Sequence, residues 1–305
     1  MIARPAGIIA AAATPLRGDL SVDTPRLVAH LQRLLAIGCD GINLLGTTGE
    51  ATSLPVAARV QTMRAVVDAG LPVDRFLVGT GAAALEDAVT LTRAACDLGF
   101  GGALLLPPFY YKGIDTPGLV DYVSEVLRRV AHPRLALYLY HFPALSGVPW
   151  SLETVTVLKT RFPQALRGLK DSSGDLAYSV QIAREVKDFD VFPSAEGALA
   201  SPDAARFSGC ISATANVTAP LAGAGWHAKD ATTRAARIGD AAAVRGAFTS
   251  LPLIAAIKET LAELYQDAAW RQMLPPLRSL DAEESAKLRA ALASTPFESV
   301  RSRFA

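Results

Sequence analysis

The sequence predicts a closed (β/α)8 barrel followed by a helical C-terminal region, on three observations. Short apolar runs recur eight times in the first 213 or so residues, at 7–13, 41–45, 76–79, 103–106, 135–140, 166–170, 191–194 and 210–213. The stretches between them carry Leu, Val and Ala at three- and four-residue spacing, with polar residues on the other side. Strands apolar on both faces that alternate with helices make a parallel sheet covered by helices, and eight such units fit a barrel. A Rossmann-like open sheet is the runner-up, but no G-x-G-x-x-G follows the first strand.

The helical stretches are read at 25–37, 55–69, 85–98 and 117–130. Pro25, Pro55 and Pro117 stand at or near first helical positions, and Gly38, Gly70 and Gly99 follow the last periodic residue. The sixth run, Leu166-Arg167-Gly168-Leu169-Lys170, ends on a lysine and passes into Asp171-Ser172-Ser173-Gly174-Asp175. That is a buried strand ending at Lys170, a turn, and a helix capped near Ser172 or Ser173. From 226 onward no strand is expected. Helices are read at 232–248, 252–266 and 282–293, with Leu274-Pro275-Pro276-Leu277 as a break. The expected division is therefore a barrel over 1–225 that holds the site and a helical region over 226–305 packed on it.

Composition narrows the function. Half of the chain is apolar, enough for a large core, and 30 basic against 29 acidic residues leave a net charge of +1. With no basic block, nucleic acid and anionic membrane surfaces are not expected partners. Cys39, Cys96 and Cys210 lie far apart in apolar segments, as reduced core cysteines do. Met1-Ile2-Ala3-Arg4-Pro5 leads straight into an apolar strand, and no run is long enough to span a bilayer. A soluble, cytoplasmic protein is expected.

In such a barrel the chemistry sits at the carboxyl ends of the strands. Lys170 stands at one. An ammonium there is costly to bury, which favours the free amine that condenses with a ketone; a surface lysine would instead snorkel or pair with Asp171 or Asp175. After the second strand come Gly46-Thr47-Thr48-Gly49-Glu50, whose hydroxyls and backbone N–H groups can converge on a small anion. The fifth run ends in Tyr138-Leu139-Tyr140-His141-Phe142-Pro143, where Tyr138 and Tyr140 share a face and Tyr140 is nearer the mouth. Pro107-Pro108-Phe109-Tyr110-Tyr111-Lys112 puts aromatic rings on a loop. His30 falls in the first helix, His132 and His227 in connections, and only His141 near a strand end, so no metal-ligand set is expected. A pyridoxal phosphate enzyme also uses a lysine, but the last two strand ends show no phosphate cradle.

The order and spacing of these motifs resemble the pyruvate-dependent class I aldolases that include dihydrodipicolinate synthase and N-acetylneuraminate lyase. The resemblance runs from Ala13-Thr14-Pro15-Leu16 through Gly46–Glu50, Tyr140-His141-Phe142-Pro143 and Gly168–Asp175 to Ile211-Ser212-Ala213-Thr214-Ala215-Asn216. It implies that Lys170 forms an imine with the C2 carbonyl of pyruvate or another 2-keto acid, with no external cofactor. By the same resemblance Tyr140 moves protons, and Thr47 and Thr48, with Gly46, bind the keto-acid carboxylate. Thr47 also links to Tyr140. Tyr110 resembles an aromatic lent to a neighbouring subunit, which implies a homotetramer built as a dimer of dimers. Ile211 belongs to the last strand of the site.

Two departures bear on the substrate. Where dihydrodipicolinate synthase has an arginine for its second substrate's carboxylate, this chain has Leu145, which cannot make a bidentate contact. Where the sialic acid enzyme has a Gly-x-Asp-Glu run, this chain has Ser194-Ala195-Glu196-Gly197. The expected activity is a lyase for another 2-keto acid, such as a 2-keto-3-deoxy sugar acid or 4-hydroxy-2-oxoglutarate. Ser172, Ser194, Glu196 and Ser212 are the candidates for contacts to its hydroxyls. 4-Hydroxy-tetrahydrodipicolinate synthase and N-acetylneuraminate lyase are the enzyme alternatives, and a silent keto-acid-binding protein is the non-enzyme one.

Overall fold

The computed structural model describes residues 4–304; Met1, Ile2 and Ala3, the start of the lead segment read above, and Ala305 lie outside the described residues. Eight strands form one parallel sheet: β1 (Gly7–Ala11), β2 (Gly41–Leu44), β3 (Phe76–Gly79), β4 (Gly102–Leu105), β5 (Leu137–His141), β6 (Leu166–Asp171), β7 (Asp190–Pro193) and β8 (Gly209–Ser212). Their order is β7-β6-β5-β4-β3-β2-β1-β8. At the β7/β8 seam the Ser208 N–H donates to the Val191 carbonyl at 3.1 Å, and the Ser208 hydroxyl donates to Asp190 at 3.0 Å. The sheet is a nearly closed (β/α)8 barrel, and the open-sheet alternative falls with the strand order.

The helices follow the same alternation: α1 (Thr24–Ile37), α2 (Val56–Asp68), α3 (Leu85–Asp97), α4 (Thr116–Val130), α5 (Pro143–Ser146), α6 (Leu152–Arg161), α7 (Leu176–Glu185) and α8 (Ala215–Trp226). Asp23 caps α1 by accepting from the Arg26 N–H, and Asp115 caps α4 by accepting from the Gly118 N–H, each with a proline in the first turn. Pro55 is itself the N-cap of α2. Beyond the barrel come α9 (Ala231–Gly246), α10 (Leu253–Leu264), α11 (Ala282–Ala293) and α12 (Phe297–Arg301). The break around Leu274-Pro275-Pro276-Leu277 is irregular backbone as expected, whereas α12, five residues long, is too short for periodicity to reveal. Among the described residues no helix is long and apolar enough to cross a membrane. The three cysteines are free and buried.

Two apolar clusters reflect the alternation of side chains along each strand. Ile9, Ala11, Leu77, Leu104, Tyr138, Tyr140, Phe192 and Ile211 fill the barrel interior. Ile8, Ala10, Ile42, Leu44, Val78, Leu105, Leu139 and Leu169 face the helices. Three boundaries differ from the sequence reading in ways that shape the site. β6 runs one residue past Lys170 to Asp171, whose side chain points away from the barrel interior and accepts from the Ser173 N–H at 2.8 Å and the Ser179 hydroxyl at 2.6 Å. The cap of α7 is Asp175, accepting from the Ala177 N–H, and not Ser172 or Ser173. β1 stops at Ala11 because the Ala13 N–H turns to the Asn216 side chain at 2.9 Å.

Candidate active site

Lys170 and Tyr140 are brought together by strand register. Between β5 and β6 the pairing shifts after Leu137↔Leu166, leaving Arg167 outside the ladder, so that Tyr138 meets Gly168 and Tyr140 meets Lys170. The one-residue irregularity puts both side chains on the inner face at the mouth. Lys170 is 3% exposed, and its Nζ lies 4.3 Å from the centre of the Tyr140 ring, a cation–π distance. The Tyr140 hydroxyl is 3.2 Å from the Thr47 hydroxyl.

The outer side of β5 is fixed from behind. His141 faces outward, where its Nδ1 accepts from the Trp150 N–H at 3.0 Å and its ring stacks on Tyr178 at 4.2 Å. The Trp150 indole donates to the Tyr140 carbonyl at 3.2 Å. Burial pushes the His141 imidazolium below its ordinary range, against the pull of Asp171 and Asp175. His141 therefore supports the strand that carries Tyr140.

The Gly46–Gly49 loop follows β2 and is tightly enclosed. A Cβ on Gly46 would lie 2.6 Å from Asn43 Nδ2, and one on Gly49 would lie 2.9 Å from Thr14 Oγ1 and 3.1 Å from the Ala12 carbonyl. The next residue, Glu50, has a left-handed backbone (φ 55) and is buried. It accepts from the Lys258 ammonium of α10 at 2.5 Å and from the Leu274 N–H at 2.7 Å. Burial lowers the pKa of Lys258 from the ordinary lysine value, and Glu50 pulls it back up. The threonine loop is thus tied to the C-terminal region through a fully buried ion pair.

A cavity of about 480 Å³ opens above the strand ends, within the size range of small-molecule sites. Thr47, Thr48, Tyr140, Lys170, Ser172, Ser194 and Ile211 line it, all of them expected from the sequence. Other expected residues stand elsewhere. Gly46 and Ser212 do not line the cavity. Glu196 lies behind the wall, fully buried, accepting from the Thr214 hydroxyl at 2.8 Å and the Thr218 hydroxyl at 2.5 Å. Tyr110 is 74% exposed, edge-on to Tyr111 at 5.3 Å, and does not line the cavity of its own chain.

Sequence reasoning missed one wall. Arg245 of α9, Leu253 and Ile254 of α10, and Met273, Leu277 and Arg278 of the segment before α11 all line the cavity. Arg245 Nη1 donates to Thr214 at 2.9 Å and Ser212 at 3.2 Å and stands 3.6 Å from Glu196. An arginine in the last turn of a helix is also what the helix dipole favours, so nothing local marked it. Among the described residues no three His, Cys, Asp or Glu side chains converge as metal ligands would.

Residues 4–295 match the dihydrodipicolinate synthetase family. A DapA-like lyase of Chloroflexus aurantiacus, described as uncharacterized, is 33% identical over 298 residues, 95% of this chain and 97% of that protein. Among solved structures, dihydrodipicolinate synthase from Agrobacterium tumefaciens superposes with a TM-score of 0.86 at 27% identity, over 95% of this chain and 99% of that one. YagE of E. coli, a prophage protein of the dihydrodipicolinic acid synthase family solved with pyruvate, gives 0.85 at 25% identity, covering 94% and 97%.

Proposed function

Because the chain belongs to the dihydrodipicolinate synthetase family, whose members are class I lyases, we propose that Lys170 forms an imine with the ketone of a 2-keto acid. The substrate is pyruvate together with the 4-hydroxy-2-keto acid, or 2-keto-3-deoxy acid, that pyruvate is joined to or released from. The observation that carries this reading is the Lys170–Tyr140–Thr47 arrangement on the cavity floor: a buried amine over a phenol that is itself within hydrogen-bond reach of a hydroxyl.

Each side chain has a part in that chemistry. An iminium is an electron sink, so the C3 proton becomes removable and a C3–C4 bond can break to an enamine. Thr47 and Thr48 hold the carboxylate, which fixes how the ketone meets Lys170. A phenol is a weak base at neutral pH, so Tyr140 works with the Thr47 hydroxyl as a relay rather than alone. Tyr110 extends that relay into a neighbouring copy, and the working form is a homotetramer made of two dimers in the cytoplasm. Ser172 and Ser194 face the oxygen at C4 of the substrate. Glu196 acts through Arg245 and Thr214, which separate it from the cavity. No external cofactor is needed. With Leu145 at the position discussed above and Glu196 turned away, neither aspartate semialdehyde nor sialic acid is the favoured partner.

Reduction with borohydride in the presence of pyruvate tests the reading. Irreversible inactivation that requires both reagents, and that pyruvate concentration controls, is the expected result. Activity that survives the treatment would contradict the imine, and a chain that shows neither an adduct by intact mass nor turnover would be better described as a keto-acid-binding protein.

A further inference from the structure

The cavity is divided by chemistry. The strand ends contribute Thr47, Thr48, Tyr140, Ser172 and Ser194 beside Lys170. The segments that close over them contribute Phe142, which precedes α5, and Leu145 within it, Leu253 and Ile254 from the first turn of α10, and Met273 and Leu277 from the segment before α11. Leu145 is 64% exposed, a branched alkyl side chain left bare at the mouth of a polar site.

The two arginines of the cavity already have partners. Among the described residues no aspartate or glutamate lines it. Arg245 is held by Thr214 and Ser212 and backed by the buried Glu196 at 3.6 Å. Arg278 is bound in bidentate fashion by Glu284 at 2.7 and 2.8 Å. A carboxylate on the second substrate would have to compete with these partners. A chain of hydroxyls lying against the apolar wall would lose hydrogen bonds to water without replacing them.

Resting on the imine reading, we infer that the acceptor half of the substrate is a neutral apolar aldehyde, aryl or branched alkyl, seated against Leu253, Ile254 and Met273. The full substrate is then a 4-hydroxy-2-keto acid with that apolar group on C4. In cleavage the Lys170 amine adds to C2 and one water leaves. The C4 hydroxyl gives its proton to Tyr140 while the C3–C4 bond breaks. The electron pair of that bond becomes the C2=C3 double bond of the enamine, and C4 departs as the aldehyde. C3 then takes a proton, one water hydrolyses the imine, and pyruvate leaves. One hydroxy-keto acid gives one aldehyde and one pyruvate, with no change in oxidation state overall.

Condensation of pyruvate with a panel of aldehydes, using the full chain, tests the inference. Benzaldehyde and isobutyraldehyde represent the expected class; glyceraldehyde, glyoxylate and aspartate semialdehyde represent polyol and charged acceptors. The expected result is a kcat/KM at least about tenfold higher for the first two, the discrimination that one or two buried methylenes supply. Leu253→Asn should reduce that ratio about tenfold, and Met273→Gln, a second variant at a different element, should move it in the same direction. Preference for a polar or charged aldehyde, consumption of none of the five, or a ratio unchanged in both variants would overturn the inference. A borohydride adduct with pyruvate, measured in parallel, separates the two claims. With the adduct present those failures leave the imine reading standing; with the adduct absent both fall.

Discussion

Lys170 and Tyr140 meet because a β5–β6 register shift passes over Arg167, and their roles separate under substitution. Lys170→Ala should abolish the pyruvate adduct and lower turnover by about three orders of magnitude or more, since among the described residues no other lysine lines the cavity. Tyr140→Phe keeps the ring beneath Nζ and removes only the hydroxyl that reaches Thr47 at 3.2 Å. That variant should still be trapped by borohydride, while kcat falls roughly 100- to 10,000-fold, the span of general acid–base catalysis. Equal loss of trapping in both variants would mean that the phenol is needed to build the site rather than to move protons. Intact-mass and steady-state measurements on the same preparations distinguish these outcomes.

Between elements, the Glu50–Lys258 pair joins the loop after β2 to α10 in full burial. Removing one partner strands the other charge, so Lys258→Met should cost about 3–5 kcal/mol in urea unfolding. Adding Glu50→Gln should recover a large part of that loss, because the stranded charge is then gone; the Leu274 N–H still finds an acceptor in the amide oxygen. A double variant no more stable than Lys258→Met would contradict the account. The pair also shows where sequence reading reaches its limit. The eight βα units were legible because strands buried on both faces are apolar throughout and helices repeat at a different period. Lys170, Tyr140, Thr47 and Thr48 were singled out because each stands at or just after a strand end, and the parts expected of them came from the family resemblance. The cavity wall made by Arg245, Leu253, Ile254 and Met273 was not, since those residues are unremarkable within their own helices and loops and acquire meaning only when the chain returns over the barrel mouth. The cap at Asp175 was misplaced for a similar reason: Asp171 takes the N–H of Ser173 and the hydroxyl of Ser179, so the helix begins later than the first serine suggests.

At the scale of the whole molecule, His30 joins the barrel to the C-terminal helices. Its Nε2 donates to Asn216 at 2.9 Å and its Nδ1 accepts from the Tyr265 hydroxyl at 2.8 Å. Complete burial lowers its pKa from 6.5 to about 4. The unfolded chain therefore binds a proton that the folded chain refuses between those values. The stability linked to His30 is full above about pH 6.5 and is lost as pH falls towards 4, by roughly 3 kcal/mol in all. Chemical unfolding from pH 7 to 4 should show this slope, and His30→Gln should flatten it. The exposed Tyr110 and Tyr111 rings predict association: sedimentation should report a tetramer, and dilution that separates subunits should lower kcat if Tyr110 serves a neighbouring site. The central claim is tested most directly by locating the adduct. Borohydride reduction with pyruvate followed by peptide mapping should place the modification on Lys170 alone. A modified Lys112 or Lys258, or an unmodified chain, would contradict it.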